Sequence, residues 1–163
     1  MEKKLKVLSA LAAALNESDI LWAVGASAML FLRGIVQEFH DIDLLVCEED
    51  IETAKEILLR HGTLLPTAPD DRFGSHHFLE FDVDGVEIDL IASFVVNSED
   101  GQHVCPLLVE DVDGCADVLG EAVSLHALDV WKQYYQWMER TDRVQTIEQY
   151  LQAKLMDIEG ETT

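Results

Sequence analysis

A short apolar strand that carries two acidic side chains is the feature of this sequence that most restricts its fold. Residues 41–46 have the sequence DIDLLV. Side chains alternate along a strand, so Asp41 and Asp43 share one face and the apolar residues share the other. The apolar face has to be covered, whereas the two like charges repel each other and are unfavourable within a strand. The acidic face is therefore either a solvated strand end or a place where a divalent cation lies between the carboxylates.

The rest of the chain alternates between helical and strand patterns, which predicts an α+β (α/β) fold. We expect a mixed β-sheet of about 4–5 strands with flanking helices and a C-terminal helical pair. The chain is predicted to form one domain over 1–163, with a core over 1–110 and a C-terminal helical subregion over 120–158. A polar loop is expected over 66–75. The predicted elements are helices over 3–15, 28–33, 50–61, 124–138 and 142–156, strands over 20–24, 41–46 and 104–109, and a hairpin over 77–94.

The predicted hairpin places four acids on one face. Its turn is Asp84-Gly85, a pair typical of two-residue type I′ turns. That turn predicts three cross-strand pairs: Val83 with Val86, Asp82 with Glu87, and Glu80 with Asp89. Four acids on one face are costly unless water or a cation relieves them, and near the turn water is the simpler explanation. Asp89 stands among apolar residues, deeper in the sheet. If its strand lies beside residues 41–46, three carboxylates converge and suit Mg²⁺.

A turn of small residues follows the first predicted strand. Gly25, Ala26 and Ser27 connect that strand to the next helix, so unpaired backbone N–H groups and the helix dipole create a positive potential there. This arrangement binds phosphate, with the Ser27 hydroxyl as a further donor, but the same residues also serve as an ordinary helix cap. Both interpretations stay open from the turn alone.

Charge restricts the partners of this acidic protein. It has 11 Lys and Arg against 32 Asp and Glu, for a formal net charge of −21. Few cations are available to neutralise phosphates, so nucleic acid and anionic membranes are not expected partners, whereas cationic small molecules and basic proteins are favoured. No apolar run approaches the roughly 20 residues that span a bilayer, and no signal peptide is expected. Three cysteines without a Cys-x-x-Cys motif fit reduced thiols, so we expect a cytoplasmic protein.

Three segments in this order resemble a known family. Residues 24–27 (VGAS), 41–44 (DIDL) and 88–90 (IDL) resemble the nucleotidyltransferase superfamily with the DNA-polymerase-β-like fold. Its small bacterial members are the most similar: the antibiotic nucleotidyltransferases, the minimal nucleotidyltransferases and the abortive-infection-type toxins. The resemblance covers about residues 20–94. More loosely, residues 128–132 and 140–142 are similar to a family helix that carries a lysine and is followed by an arginine and an aspartate.

The resemblance implies a metal site and a reaction. Asp41 and Asp43 would bind one or two Mg²⁺ ions, and Asp89 would be the third ligand or the base that takes a proton from an attacking hydroxyl. A nucleoside monophosphate would move from a nucleoside triphosphate (NTP), ATP by expectation, to a hydroxyl acceptor, with release of pyrophosphate.

The resemblance also implies a nucleotide site. Gly25, Ala26 and Ser27 would hold the β- and γ-phosphates, and Lys132 would reach the triphosphate. The acceptor stays open between a small molecule and a protein, and a homodimer is one way to complete the cleft.

The sequence departs from the family pattern at several positions, of which Ala26 is a tolerated variant, and the scarcity of basic residues favours a second hypothesis. Ala26 stands where glycine is usual, and Thr141 replaces the lysine of the usual Lys-Asp pair. Basic candidates on the nucleotide side are few: Arg33, Arg72, Lys132 and Arg140. The alternative is a non-catalytic protein of the same fold that acts as a toxin–antitoxin component or a protein-interaction module.

Overall fold

The computed structural model describes residues 1–66 and 77–161, with side chains to residue 157. The predicted loop over 66–75, apart from its first residue, and the basic candidate Arg72 lie outside the described residues. The helices are α1 (Glu2–Glu17), α2 (Ala26–Leu32), α3 (Ile51–His61), α4 (Leu128–Trp137) and α5 (Thr141–Glu161). The strands are β1 (Trp22–Gly25), β2 (Ile42–Val46), β3 (Thr63–Leu64), β4 (His77–Val83), β5 (Val86–Ala92), β6 (Phe94–Ser98), β7 (Gly101–Cys105), β8 (Val112–Val118) and β9 (Glu121–His126).

A mixed seven-stranded sheet forms the centre of the fold. Its strand order is β3-β4-β5-β2-β1-β9-β8, and β6 and β7 form a separate two-stranded sheet. The β2–β5 and β1–β9 pairs are parallel, and the other pairs are antiparallel. The α+β class with a mixed sheet and flanking helices is confirmed, with more strands than the four or five expected.

The core lies between this sheet and the helices. Helix α1 buries Leu8, Leu11 and Leu15, which recur at helical spacing, and α3 buries Ile57 and Leu58 in the same way. All four residues of β1 are buried. Burial of β1 on both faces matches its position inside the sheet, between β2 and β9.

The β8–β9 hairpin was not predicted. The sequence pattern indicated a helix from Ser124, but residues 121–126 form β9, and the helix begins at Leu128. Val123 and Leu125 alternate inward along β9, which pairs with β1 and β8, so tertiary pairing overrides the local helical pattern. The strand expected over 104–109 is likewise displaced to Gly101–Cys105.

None of the helices in the described part of the chain combines the length and apolarity needed to cross a membrane.

Candidate active site

Parallel pairing of β2 with β5 brings distant acids side by side. In the register of this pair Asp43 lies opposite Asp89, and Asp41 comes directly before β2. The β4–β5 hairpin has the predicted register, with Glu80 opposite Asp89 and Asp82 opposite Glu87. The acidic faces of three neighbouring strands therefore form one continuous surface.

Asp41, Asp43 and Asp89 form a compact group of carboxylates. One oxygen from each lies within 4.8 Å of the others, a spacing at which they could hold a metal ion. Asp89 is 7% exposed, and its Oδ1 is buried without a hydrogen-bond partner among the described residues. A buried carboxylate oxygen with no donor is costly unless a cation or a proton satisfies it. The donor set consists of carboxylate oxygens, which Mg²⁺ prefers.

A second group of neighbouring carboxylates also contains Asp89. One oxygen each of Glu80, Glu87 and Asp89 also lies within 4.8 Å of the others. Glu80 is half-buried and Glu87 is exposed. Sequence reasoning placed these two glutamates on the same face as Asp89 but assigned them no function.

The crowded carboxylates hold protons more tightly than isolated ones. Burial, followed by the charge of Asp43, raises the pKa of Asp89 to about 9. Burial, followed by the charge of Asp41, raises the pKa of Asp43 to about 7. The two groups titrate together, so the unliganded protein keeps a proton in this group near neutral pH.

These carboxylates open into a pocket with a volume of about 440 Å³. Its acidic side, here called the strand wall, consists of Asp41, Asp43, Glu80, Glu87 and Asp89. A second part of the lining, the helical wall, carries Trp131, Tyr135, Arg140 and Arg143 from α4, α5 and the turn between them. Ala26, Ser27, His40, Phe78, Ile91, Phe94 and Met138 complete the lining.

The turn predicted to bind phosphate lies at this pocket. Ala26 and Ser27 line it, and Ala26 has a φ of +53°, in the left-handed region that favours glycine. Gly25 has a packing role, because a Cβ added there would lie 2.4 Å from Cζ2 of Trp131. The indole Nε1 of Trp131 donates to Nδ1 of the buried His126 at 3.0 Å, which holds the ring in place.

Lys132, which the sequence analysis expected to reach a triphosphate, points to α5 instead of lining this pocket. Its Nζ lies 3.5 Å from Oε1 of Glu148 on α5, and Lys132 is not among the residues that line the pocket. Arg33, another basic candidate, donates to the backbone carbonyls of Asp113 and His126. Both cations are therefore occupied elsewhere in the fold.

Among the described residues that line the pocket, Arg140 and Arg143 carry positive charge. Arg140 donates from both Nε and a terminal nitrogen to Asp142, each at 3.2 Å, and its guanidinium lies 5.9 Å from the centre of the Tyr135 ring. Sequence analysis identified Arg140 but missed Arg143, which follows three residues later. On a helix that spacing places side chains near one another, and this was the available signal.

Comparison with known proteins gives structural neighbours only. No family model and no curated protein matches the sequence. A proposed nucleotidyltransferase from Thermotoga maritima is similar in structure, with a TM-score of 0.71 at 22% identity over 93% of this chain and 94% of that one. ANT(2″)-Ia in complex with adenylyl-2″-tobramycin has a TM-score of 0.65 at 11% identity, over 96% and 94% of the two chains. The solution structure of the antibiotic-resistance factor ANT(2″)-Ia has a TM-score of 0.60 at 11% identity, over 99% and 98%.

These likenesses extend over nearly the whole chain, including the elements that carry the strand wall and the helical wall. They agree with the family resemblance of residues 24–27, 41–44 and 88–90. The chain therefore has the nucleotidyltransferase fold.

Proposed function

We propose that the protein is a Mg²⁺-dependent nucleotidyltransferase that moves a nucleoside monophosphate from an NTP to a hydroxyl group and releases pyrophosphate. The observation that carries this proposal is the meeting of Asp41, Asp43 and Asp89 within 4.8 Å beside a pocket, on this fold. The Oδ1 of Asp89 supports it, because this buried atom has no hydrogen-bond partner among the residues that the structure describes and needs a cation or a proton.

In this proposal Asp41, Asp43 and Asp89 hold the metal. When bound, Mg²⁺ supplies positive charge that orients the triphosphate and offsets the charge developing on its oxygens. Burial and mutual repulsion of the three carboxylates raise the free energy of the folded, unliganded protein. Binding of a cation would lower that free energy again.

Asp89 is the proposed base. The oxygen of the acceptor hydroxyl forms a bond to the α-phosphorus, and its proton passes to a carboxylate oxygen of Asp89. The bond from the α-phosphorus to the oxygen that bridges to the β-phosphate breaks, and pyrophosphate leaves with that electron pair. In the unliganded protein burial raises the pKa of Asp89, so its carboxylate accepts this proton only once it is ionised, a state that a bound cation would favour.

The triphosphate, ATP by expectation, is proposed to lie between the turn at Ser27 and the helical wall. Ser27 offers a hydroxyl group, and Arg140 and Arg143 offer cationic nitrogen donors suited to phosphate oxygens. Lys132 is left out of this proposal because it pairs with Glu148. The acidic surface of the protein favours an acceptor that carries positive charge, either a small molecule or a basic protein.

The proposal is tested by incubation with Mg²⁺ and each labelled NTP across a panel of hydroxyl acceptors. We expect Mg²⁺-dependent release of pyrophosphate and transfer of the label for at least one pair, and loss of both in Asp41→Asn/Asp43→Asn. Absence of pyrophosphate release for every pair, together with absence of Mg²⁺-dependent NTP binding, would exclude the transferase.

A non-catalytic interaction module is the second candidate, and one observation favours it. The distal half of α5 exposes Leu151, Leu155 and Met156 by 40%, 58% and 64%. Exposed apolar side chains on a projecting helix are typical of a surface that binds another protein. In this case the purified protein would bind a partner protein but would transfer no nucleotide.

A further inference from the structure

A buried histidine beside the pocket takes no part in the proposed chemistry. His126 is 1% exposed and ends β9, and α4 begins two residues later. We propose that His126 is a positioning residue for the nucleotide site: through its bond to Trp131 it fixes the turn at Gly25 and so strengthens NTP binding. His126 would act on the triphosphate end of the same pocket, so this role rests on the proposed function.

Strand pairing brings His126 and Gly25 to the same edge of the sheet. Gly25 ends β1, His126 ends β9, and these strands are parallel neighbours with Val24 opposite Leu125. Trp131, in the first turn of α4, contacts both residues. Its Nε1 donates to Nδ1 of His126 at 3.0 Å, and a Cβ added at Gly25 would lie 2.4 Å from its Cζ2 and 2.7 Å from its Cε2. The indole therefore connects the histidine to the turn.

The hydrogen bond acts on the edge of the indole that packs against the turn. In Trp131, Cε2 is bonded to both Nε1 and Cζ2, so the donor and the two carbons nearest to Gly25 belong to one edge of the ring. The rings of Phe94, Tyr134 and Tyr135 surround it, with centroids 5.8, 5.1 and 5.5 Å away. Apolar burial has little directional preference, whereas a hydrogen bond is directional. Losing the bond should therefore let this edge move against the turn that leads to the pocket.

Only a neutral His126 can accept this hydrogen bond. The indole N–H is a donor alone, so Nδ1 must carry a lone pair and the ring proton belongs on Nε2. Burial lowers the pKa of His126 to about 4, while the charge of Asp129 opposes that shift and the charge of Arg33 adds to it. Arg33 also donates to the backbone carbonyl of His126 at 2.9 Å. The ring is therefore neutral at neutral pH, in the form that holds Trp131.

The same histidine carries an unsatisfied polar atom. Its Nε2 is buried without a hydrogen-bond partner in the described part of the chain. A buried N–H group without an acceptor raises the free energy of the folded protein, so stability alone would favour an apolar side chain at this position. Proteins tolerate such local conflicts chiefly at functional positions. The conflict at His126 lies beside the pocket, which agrees with a role in the nucleotide site.

Calorimetric binding of each NTP with Mg²⁺, without an acceptor, tests this role in the full chain. His126→Leu removes the hydrogen-bond acceptor and should weaken NTP binding about tenfold. His126→Asn places an amide oxygen near the position of Nδ1 and should restore most of the affinity. Both variants should bind Mn²⁺ without nucleotide as the wild type does, because Asp41, Asp43 and Asp89 are unchanged.

A second buried indole supplies the matched control. Trp22 is 3% exposed, and its Nε1 donates to Oδ1 of Asn16 at 3.0 Å, but neither residue lines the pocket. Asn16→Ala removes that acceptor and should change stability without changing NTP affinity. In NMR spectra of the wild type, NTP should move the indole N–H resonance of Trp131 and leave that of Trp22 in place.

The outcomes are distinct. Wild-type NTP affinity in a folded His126→Leu would overturn the role of His126, as would His126→Asn binding no better than His126→Leu. Thermal unfolding shows whether each variant is folded. If His126→Leu does not fold, the wild-type spectra decide: a Trp131 resonance that NTP moves supports the role, and one that it leaves in place overturns it. A wild type that binds NTP with this dependence on His126 but transfers no nucleotide contradicts the transferase alone, whereas one that binds no NTP contradicts both.

Discussion

The strand wall and the helical wall of the pocket carry opposite charges and differ in how those charges are compensated. On the helical wall, Arg140 is held by Asp142 and lies against Tyr135. On the strand wall, five carboxylates face the pocket, and within the described part of the chain they form no ion pairs. Arg140 on the helical wall is thus held by partners within the fold, whereas the carboxylates of the strand wall lack ion pairs among the described residues and should respond most to added cations.

The largest effect is expected from removing one charge of the strand wall. Asp43→Asn should lower Mg²⁺-dependent pyrophosphate release at least about a hundredfold, because it removes a proposed ligand at the point where charge develops. Steady-state kinetics measures the loss. The metal-free variant should not unfold at a lower temperature than the wild type, since repulsion with Asp41 and Asp89 is reduced. Full activity in this variant would contradict the assignment of the metal site.

The next largest expected difference between the two walls is their effect on how stability depends on pH. The pKa of an aspartate is near 4 in the unfolded chain, whereas burial, followed by mutual repulsion, raises the pKa of Asp43 to about 7 and that of Asp89 to about 9 in the folded protein. Without divalent cations the free energy of unfolding should therefore fall as pH rises from about 4 toward 9, by up to about 1.4 kcal/mol per pH unit for each proton.

Denaturant unfolding across this range measures that slope. Saturating Mg²⁺ should flatten it, because the cation stabilises the ionised carboxylates. An equal slope with and without Mg²⁺ would show that the strand wall does not bind the ion.

Gly25 lies where the two walls meet, so it tests their packing. Gly25→Ala places a methyl group 2.4 Å from Trp131 Cζ2 and should destabilise the protein by about 1–3 kcal/mol, the usual cost of overpacking. Urea unfolding measures the change. Trp131→Phe removes part of the clash, so the double variant should lose less stability than the sum of the two single changes. Simple additivity would contradict this contact.

Charge on the helical wall should matter less than charge on the strand wall. Arg140→Gln should raise the KM for the NTP about tenfold, equivalent to about 1.4 kcal/mol, with a smaller change in kcat. Stability should change little, because the pair with Asp142 is exposed and solvent screens it. Asp142→Asn, which keeps the guanidinium, is the control and should affect the KM less. An unchanged KM in Arg140→Gln would remove this residue from the proposed nucleotide site.

The smallest effect is expected at Ala26. Its φ of +53° is costly for a residue with a Cβ, so Ala26→Gly should stabilise the protein by up to about 1 kcal/mol, after the entropy cost of glycine in the unfolded chain. Thermal unfolding measures this, and a loss of stability would show that the turn tolerates alanine without strain.

The hairpin and the C-terminal region show why sequence patterns were sufficient in one place and failed in another. The Asp84-Gly85 turn and strand alternation predicted the register of Glu80 with Asp89, which the structure confirms. Both signals are local. The β8–β9 hairpin was missed because residues 124–126 also fit a helical period, and pairing of β9 with β1 decides in favour of the strand. That pairing joins residues about a hundred positions apart, which no local pattern records.

The candidate residues of the pocket likewise divide into those indicated by a local sequence pattern and those whose position depends on tertiary packing. Asp41, Asp43 and Asp89 were found because each interrupts an apolar strand, and that conflict is visible in the sequence. Lys132 was assigned from a loose family likeness, but its orientation toward Glu148 depends on how α4 packs against α5. Arg143 was missed because its spacing from Arg140 indicates that the two side chains are near one another but not that they face a pocket rather than solvent.

The sequence by itself determined the elements with strong periodicity, the hairpin register, the acidic face of each strand and the negative charge of the whole protein. These properties depend on neighbouring residues or on composition. Only the tertiary structure decided that β2 and β5 lie in parallel with Asp43 beside Asp89, that Glu80 and Glu87 join them, and that arginines rather than Lys132 face them. The strand order and the positions of these side chains depend on how all the helices and strands pack together to bury their apolar faces, which no single segment determines.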